Sequence, residues 1–424
     1  MPYVLGIDIG STNTVATVAR RQGATWSRPE GVPLDAGSVV VPSVLHLTLD
    51  GRLTIGEPGA DDGARTARGF VRRVGDDVPL MLAGEACPPQ TLTAVLASWV
   101  VERVRDREGE PAEAVVLSHP AGWGRHRREL LHTALREFGL GHATLLPCTV
   151  TVAESHAARG FPGGAAVVYA LGGNTFEAAL VRRTPRGTYE TFGFPQGLGW
   201  IGGADFDEAL AEHVRTALTR ELGGNGSRQA YDALRGLLPG CERAKRDLTV
   251  GTQTDVLVTL PSGPARVPVS RVQFEDMIRP AVQATVDLLL RTVHSGGLAP
   301  AQLDGVLLAG GSTRIPLVAE LLAAALPVPV EVEPDPQLTA ATGAALAAGQ
   351  MVSPRPRREG RDHRPAPVSA AGRVGASAVA PQHRPGHHGG VGTEPPPRPP
   401  VRFAPLDLPK ASRLAVARRR GGRG

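Results

Sequence analysis

Two rhythms of apolar residues alternate through the first 350 positions of this 424-residue chain. Val4-Leu5-Gly6-Ile7, Val167-Val168-Tyr169 and Val306-Leu307-Leu308-Ala309 are short continuous runs without polar residues, the pattern of buried strands. Phe206 to Leu222 instead keeps its apolar residues three and four apart, which predicts an amphipathic helix. Ser270-Arg271-Val272-Gln273 places Ser at the N-cap and Gln at N3, a capping box predicted to open a helix running through Thr292. Pro316 suits the first turn of another helix, after the turn at Gly310 to Arg314. Strand and helix patterns in alternation predict an α/β architecture.

One plan occurs twice. Residues 4–20 and residues 167–183 each show a β-rich run, a polar turn containing glycine, and a second apolar run. Two tight hairpins so far apart predict two lobes of similar construction, over residues 1–160 and 161–350. From Met351 onward Pro, Gly, Arg and His follow one another without period. Such a segment buries too little apolar surface to offset its ordering entropy, so residues 351–424 are expected to be disordered.

Charge sharpens that division. Residues 351–424 hold 15 Lys+Arg against 4 Asp+Glu, and this +11 leaves the first 350 residues at −6 within a total of +5. Nearly every cation is arginine, the only lysines being Lys245 and Lys410. The three cysteines are widely spaced and predict neither a disulfide framework nor a zinc site. No signal-peptide plan opens the chain, and no apolar run approaches the ~20 residues that span a bilayer. A cytoplasmic protein is expected. The tail is either a solvated extension or an electrostatic arm for an acidic protein, nucleic acid or anionic lipid. With Phe403 its one aromatic residue, base stacking is a poor fit.

Candidate chemistry gathers at three turns. Gly10-Ser11-Thr12-Asn13 offers close backbone approach and N–H and hydroxyl donors to a phosphate, and Asp8 before it can hold hydrated Mg²⁺. Gly172-Gly173-Asn174-Thr175 offers the same from the second hairpin. Gly310-Gly311-Ser312 lies between a strand and a helix N-terminus, where backbone donors again face outward. Each turn alone serves as readily as a structural hairpin. Neither a Walker A lysine motif nor a dinucleotide fingerprint is present.

GIDIGSTNT, VVYALGGNTFE, GLGWIGGADFDEAL, CERAKRDLT, LLAGGSTRIP, SHPAGWGRHRRELL and DPQLTAATGAALA resemble the signature segments of DnaK-type, seventy-kilodalton heat-shock chaperones across essentially all of residues 1–350. The resemblance implies a two-lobed actin-like ATPase (ribonuclease H-like) fold that binds ATP or ADP with Mg²⁺. It implies phosphate contacts from Gly10, Ser11, Thr12 and Asn13, with Asp8 at the metal. Gly172, Gly173, Asn174 and Thr175 fall on the other side, with Gly202 and Gly203 nearby. Glu242, Lys245 and Thr249 would embrace ribose and base, opposite Gly310, Gly311, Ser312 and Arg314. Asp335 opens the last matching segment and is carried over with them. Arg72 stands where the family has its catalytic lysine, so Asp8, Arg72 and Thr175 are the residues implied at the chemistry.

Departures set the expected activity. Ala170 replaces the aspartate that helps organise Mg²⁺ and the attacking water, Asn174 a glycine, and Glu177 an aspartate. Losing a charge-organising group costs on the order of 10²–10³ in rate, so weak or absent hydrolysis is expected unless Glu154 or Glu177 covers the loss. Pro120 and Arg128 match two members of an interlobe relay, while Cys148 occupies the place of its glutamate. The family's client-binding sandwich and lid would need a further domain's length of chain, so a protein partner is expected in that role. An actin-fold sugar or acyl kinase and an actin-like filament protein are the competing readings; a kinase needs a general-base aspartate, and position 170 is alanine.

Overall fold

The computed structural model describes residues 1–56, 63–221, 236–260 and 263–353. The expected tail therefore lies, from residue 354, outside the described residues, as does Leu222 at the end of its predicted helix.

The first hairpin pairs Tyr3–Ile9 with Asn13–Gln22 antiparallel, and Tyr3–Ile9 continues the sheet in parallel through Ala114–His119 to Thr144–Pro147. Short strands at Thr25–Trp26, Glu30–Gly31 and Val40–Pro42 add to Asn13–Gln22 and complete a seven-stranded sheet. The second sheet repeats the plan: Ala165–Leu171 pairs antiparallel with Phe176–Arg183, and parallel with Gly305–Ala309 on its other side. Tyr189–Leu198 and Val330–Glu331 form its edges. The α/β actin-like fold expected from the sequence is thus present, one hairpin-led sheet per lobe. Both leading strands are buried nearly throughout because helices cover both their faces. The strand Gln253–Leu260, in a separate two-stranded ribbon, instead alternates exposed and buried positions.

Local chemistry ends the helices where the sequence prescribes. Pro89–Glu108 starts on a proline and stops at Gly109, whose φ of 83° and N–H bond to the Arg105 carbonyl close it. Arg271–Ser295 carries the expected capping box: Ser270 Oγ accepts from the Gln273 N–H, and Gln273 Oε1 accepts from the Ser270 N–H at 2.9 Å. It runs three residues past Thr292, its inner face packed by Phe274, Ile278, Val282, Val286 and Leu289.

Two helices tie the sheets together. Thr339–Val352 lays Ala344 and Ala348 on Val4, Ala19 and Val116 of the first sheet. Its Ala340 joins Val168, Leu307 and Ala309 of the second. Cys148–Ala158 adds Val150, Val152 and Ala153 to that same cluster. The approach is very close. A Cβ on Gly6 would lie 2.2 Å from the Ala341 carbonyl oxygen, and one on Gly343 would lie 1.6 Å from that of Thr151. Thr17 Oγ1, fully buried, donates to the Ala341 carbonyl at 2.8 Å and pins the first contact.

Candidate functional site

The two hairpin turns have the same internal bond. Gly10 N–H donates to the Asn13 carbonyl at 2.9 Å, and Gly172 N–H to the Thr175 carbonyl at 2.9 Å. They meet tip to tip, where Thr12 Oγ1 donates to Asn174 Oδ1. A Cβ on Gly173 would come within 2.4 Å of Thr12 Oγ1, so only glycine lets the tips approach this far. Behind them, Gly203 N–H and Ala204 N–H donate to the Gly172 and Gly173 carbonyls at 3.0 and 2.7 Å, which brings in the N-terminus of the helix Gly203–Glu221. The third turn closes on the same point. Ser312 Oγ donates to the Gly172 carbonyl at 2.8 Å, and Gly310, at φ 91°, passes so near that a Cβ would sit 2.3 Å from the Leu171 carbonyl oxygen.

These turns floor a cleft of about 1620 Å³. Of the residues carried over as nucleotide, metal or catalytic contacts, all line it except Asn174, Gly202 and Asp335; Arg128 and Glu154 do not line it either. Asn174 is held by Thr12, and a Cβ on Gly202 would meet the Asn174 nitrogen at 2.6 Å, so both lie beneath the surface as packing for it. Asp335 accepts from Arg314 Nη2 at 2.7 Å and so braces a lining residue from behind.

Lys245, on the helix Leu238–Val250, donates to the Gly203 carbonyl at 2.7 Å and to Asp207 Oδ2 at 2.8 Å. The side chains of its neighbours Glu242 and Thr249 bond within their own helix, Glu242 with Arg246 and Thr249 Oγ1 with the Lys245 carbonyl, while the Thr249 carbonyl accepts from Arg271 Nη2 at 3.5 Å. Asp207 is 8% exposed, and its Oδ1 is buried without a hydrogen-bond partner. Burial pushes the Asp207 carboxyl above its ordinary value, with Lys245 opposing the shift. Asp8 accepts from Ser118 Oγ, and enclosure likewise raises its carboxyl. Arg72 reaches across the cleft mouth to the Gly199 carbonyl at 2.7 Å.

The two carboxylates considered as substitutes for the missing aspartate are both committed elsewhere. Glu154 accepts from Tyr189 N–H at 2.8 Å and from Gln350 Nε2 at 3.3 Å, and it does not line the cleft. Glu177 does line it and pairs in register with Ala170, yet Oε1 accepts from Gly122 N–H at 2.9 Å. Its Oε2 accepts from Ala121 N–H at 3.1 Å and from the Cys148 thiol at 3.0 Å. Enclosure and this carboxylate push the Cys148 thiol well above its ordinary range.

Sequence reasoning passed over Ser118, His119 and Asp207, all lining residues. A signal for Asp207 existed: it stands four positions past Gly203, one turn into the helix that opens on the cleft. His119 carried none, because its part depends on Trp123 stacking on its ring at 5.8 Å and on its Nδ1–H donating to the Pro120 carbonyl at 2.8 Å.

For a nucleotide the fit is good: three glycine turns, a lysine and an arginine converge where side chains on the glycines would fill the floor. For Mg²⁺, Asp8 supplies one carboxylate, enough for an ion that keeps most of its waters and takes the rest of its ligands from phosphate. Ala170 has no side-chain oxygen to add.

Twin hairpin-led sheets around a glycine-floored cleft define an actin-like ATPase fold. The family model described as "Hsp70 protein" matches residues 71–359, and the chain belongs to the Hsp70 family. It is similar to the chaperone protein DnaK of Elusimicrobium minutum, 28% identical over 361 residues, covering 82% of this chain and 58% of that protein. It is also similar to the chaperone protein HscA homolog of Burkholderia cenocepacia, 29% identical over 377 residues, covering 83% and 59%. The chain thus spans just under three-fifths of the length of these relatives.

Proposed function

We propose that this chain binds ATP and ADP with Mg²⁺ in the interlobe cleft, as a nucleotide-dependent chaperone-type or regulatory protein, and hydrolyses ATP slowly or not at all. The observation that carries the reading is the convergence of the three glycine turns and Lys245 on one cleft. Residues 10–13, Gly172, Gly173 and Thr175 would hold the phosphates, Asp8 the hydrated ion, and Glu242, Lys245, Thr249 and Arg314 the nucleoside.

Slow hydrolysis follows from charge. Phosphoryl transfer depends on groups that organise water and metal, and here position 170 is alanine while both oxygens of Glu177 are bound to protein. Binding suffers less, since the backbone donors of the turns remain. Lobe closure on nucleotide would then be the output, read by a protein partner in the cytoplasm; among the described residues no helix is long and apolar enough to cross a membrane.

The test is calorimetric titration of ATP and ADP with Mg²⁺, paired with single-turnover hydrolysis, on the wild type and Ala170→Asp. Tight binding with negligible turnover, raised by about 10²-fold in the variant, is expected. Brisk turnover in the wild type would remove the claim of slow hydrolysis, and absence of binding would remove the whole reading.

A further inference from the structure

Glu177 belongs to the second-lobe strand Phe176–Arg183, but all of its described bonds run to other elements. Both oxygens take consecutive backbone N–H groups, Ala121 and Gly122, from the first-lobe loop after Ala114–His119. A carboxylate gripping two adjacent amides fixes the loop in position and orientation, and such charge-assisted bonds are the stronger kind. The Cys148 thiol adds a third donor from the first residue of Cys148–Ala158, a helix with no acidic residue in its first turn and no side-chain cap. Glu177 therefore sits where that helix end favours negative charge.

The gripped loop is stiff. Trp123 N–H donates to the Pro120 carbonyl at 3.1 Å, His119 Nδ1–H donates to the same oxygen, and Trp123, 7% exposed, stacks on His119. A displacement of the second hairpin that carries Glu177 therefore carries residues 119–123 with it. Aspartate, one methylene shorter, would sit farther back from Ala121 and Gly122 on the same strand.

We infer that Glu177 is a positioning residue, an interlobe clasp that holds the loop Pro120–Gly122 against the second hairpin and slows nucleotide release, and that it does not organise the metal. The release part rests on the nucleotide reading given above; the clasp itself does not.

Two measurements on the full chain test it: amide hydrogen exchange at Ala121 and Gly122, and the dissociation rate of N-methylanthraniloyl-ADP with and without Mg²⁺. In the wild type both amides are expected to be protected. In Glu177→Gln, which turns a donor toward a donor, exchange and analogue release should each rise about tenfold. The ratio of affinities with and without Mg²⁺ should stay at its wild-type value. Unprotected amides in the wild type overturn the inference before any variant is made. Unchanged exchange in Glu177→Gln overturns it too, and so does a collapse of the Mg²⁺ ratio, which would return the carboxylate to the ion. A wild type that binds no analogue removes the nucleotide reading and leaves exchange to decide the clasp.

Discussion

Gly343→Ala adds one methyl group where two helices cross, and the structure sets its cost. The new Cβ would stand 1.6 Å from the Thr151 carbonyl oxygen and 2.4 Å from its carbon, against a practical limit of 3.0 Å. Both obstacles are backbone, so no rotamer change relieves the clash, and the helices must part by more than 1 Å. Displacing Thr339–Val352 disturbs its close packing on the first sheet and strains the bond from Thr17 to Ala341. Overpacking costs about 1–3 kcal/mol, and a buried hydroxyl losing its acceptor about another 1–3. Alanine's helix propensity returns about 1 kcal/mol. The net loss of about 1–5 kcal/mol should lower the melting temperature by on the order of 1–7 °C. Differential scanning calorimetry of the full chain reads this directly. Gly63→Ala is the control, because Gly63 is exposed, lies outside the left-handed region and has no atom of the described residues within 4 Å of its would-be Cβ. If Gly343→Ala melts within 1 °C of that control, the account of a backbone-tight crossing is wrong.

Three further outcomes are expected. Gly173→Ala, whose Cβ would meet Thr12 Oγ1 at 2.4 Å, should separate the hairpin tips and weaken ADP binding by about tenfold or more in calorimetric titration; unchanged affinity would refute the tip-to-tip reading. Lys245→Met leaves the Asp207 carboxylate buried without its partner and should cost about 3–5 kcal/mol in urea unfolding. Adding Asp207→Asn should recover part of that loss, and a double variant no more stable than the single would contradict the pairing. Burial holds His119 below its ordinary 6.5, so the unfolded chain takes up that proton first. Its contribution is then full above pH 6.5 and is lost as pH falls toward the folded value. Melting curves from pH 7.5 to 5 should show a shallower acid decline in His119→Gln than in the wild type, and parallel curves would refute the assignment.

The turns were legible because their requirement is local: a close backbone approach needs glycine, so residues 10–13, 172–175 and 310–312 announce themselves. The capping box at Ser270 is legible for the same reason. Glu177 shows the opposite case. Its composition reads as a conservative replacement of an acid, and only the distance across to Ala121 and Gly122 reveals where its charge is spent. The helix Thr339–Val352 is equally silent in sequence, because a run of Ala and Gly declares a close contact without naming the partner. That it returns to the first sheet is decided by tertiary packing. The short strands Thr25–Trp26, Glu30–Gly31 and Val40–Pro42 escaped because two or three residues give no period to read.

The arginine habit of this chain has a consequence for chemistry done on it. Side-chain primary amines occur at two positions in all 424 residues, Lys245 and Lys410, and among the described residues at Lys245 alone. That amine is clamped between Asp207 and the Gly203 carbonyl at the wall of the cleft. Acylating and amine-coupling reagents, which decorate most protein surfaces at random, find one side-chain target among the described residues. A ligand bound in the cleft would stand in their way, so the extent of modification at Lys245 would gauge its occupancy.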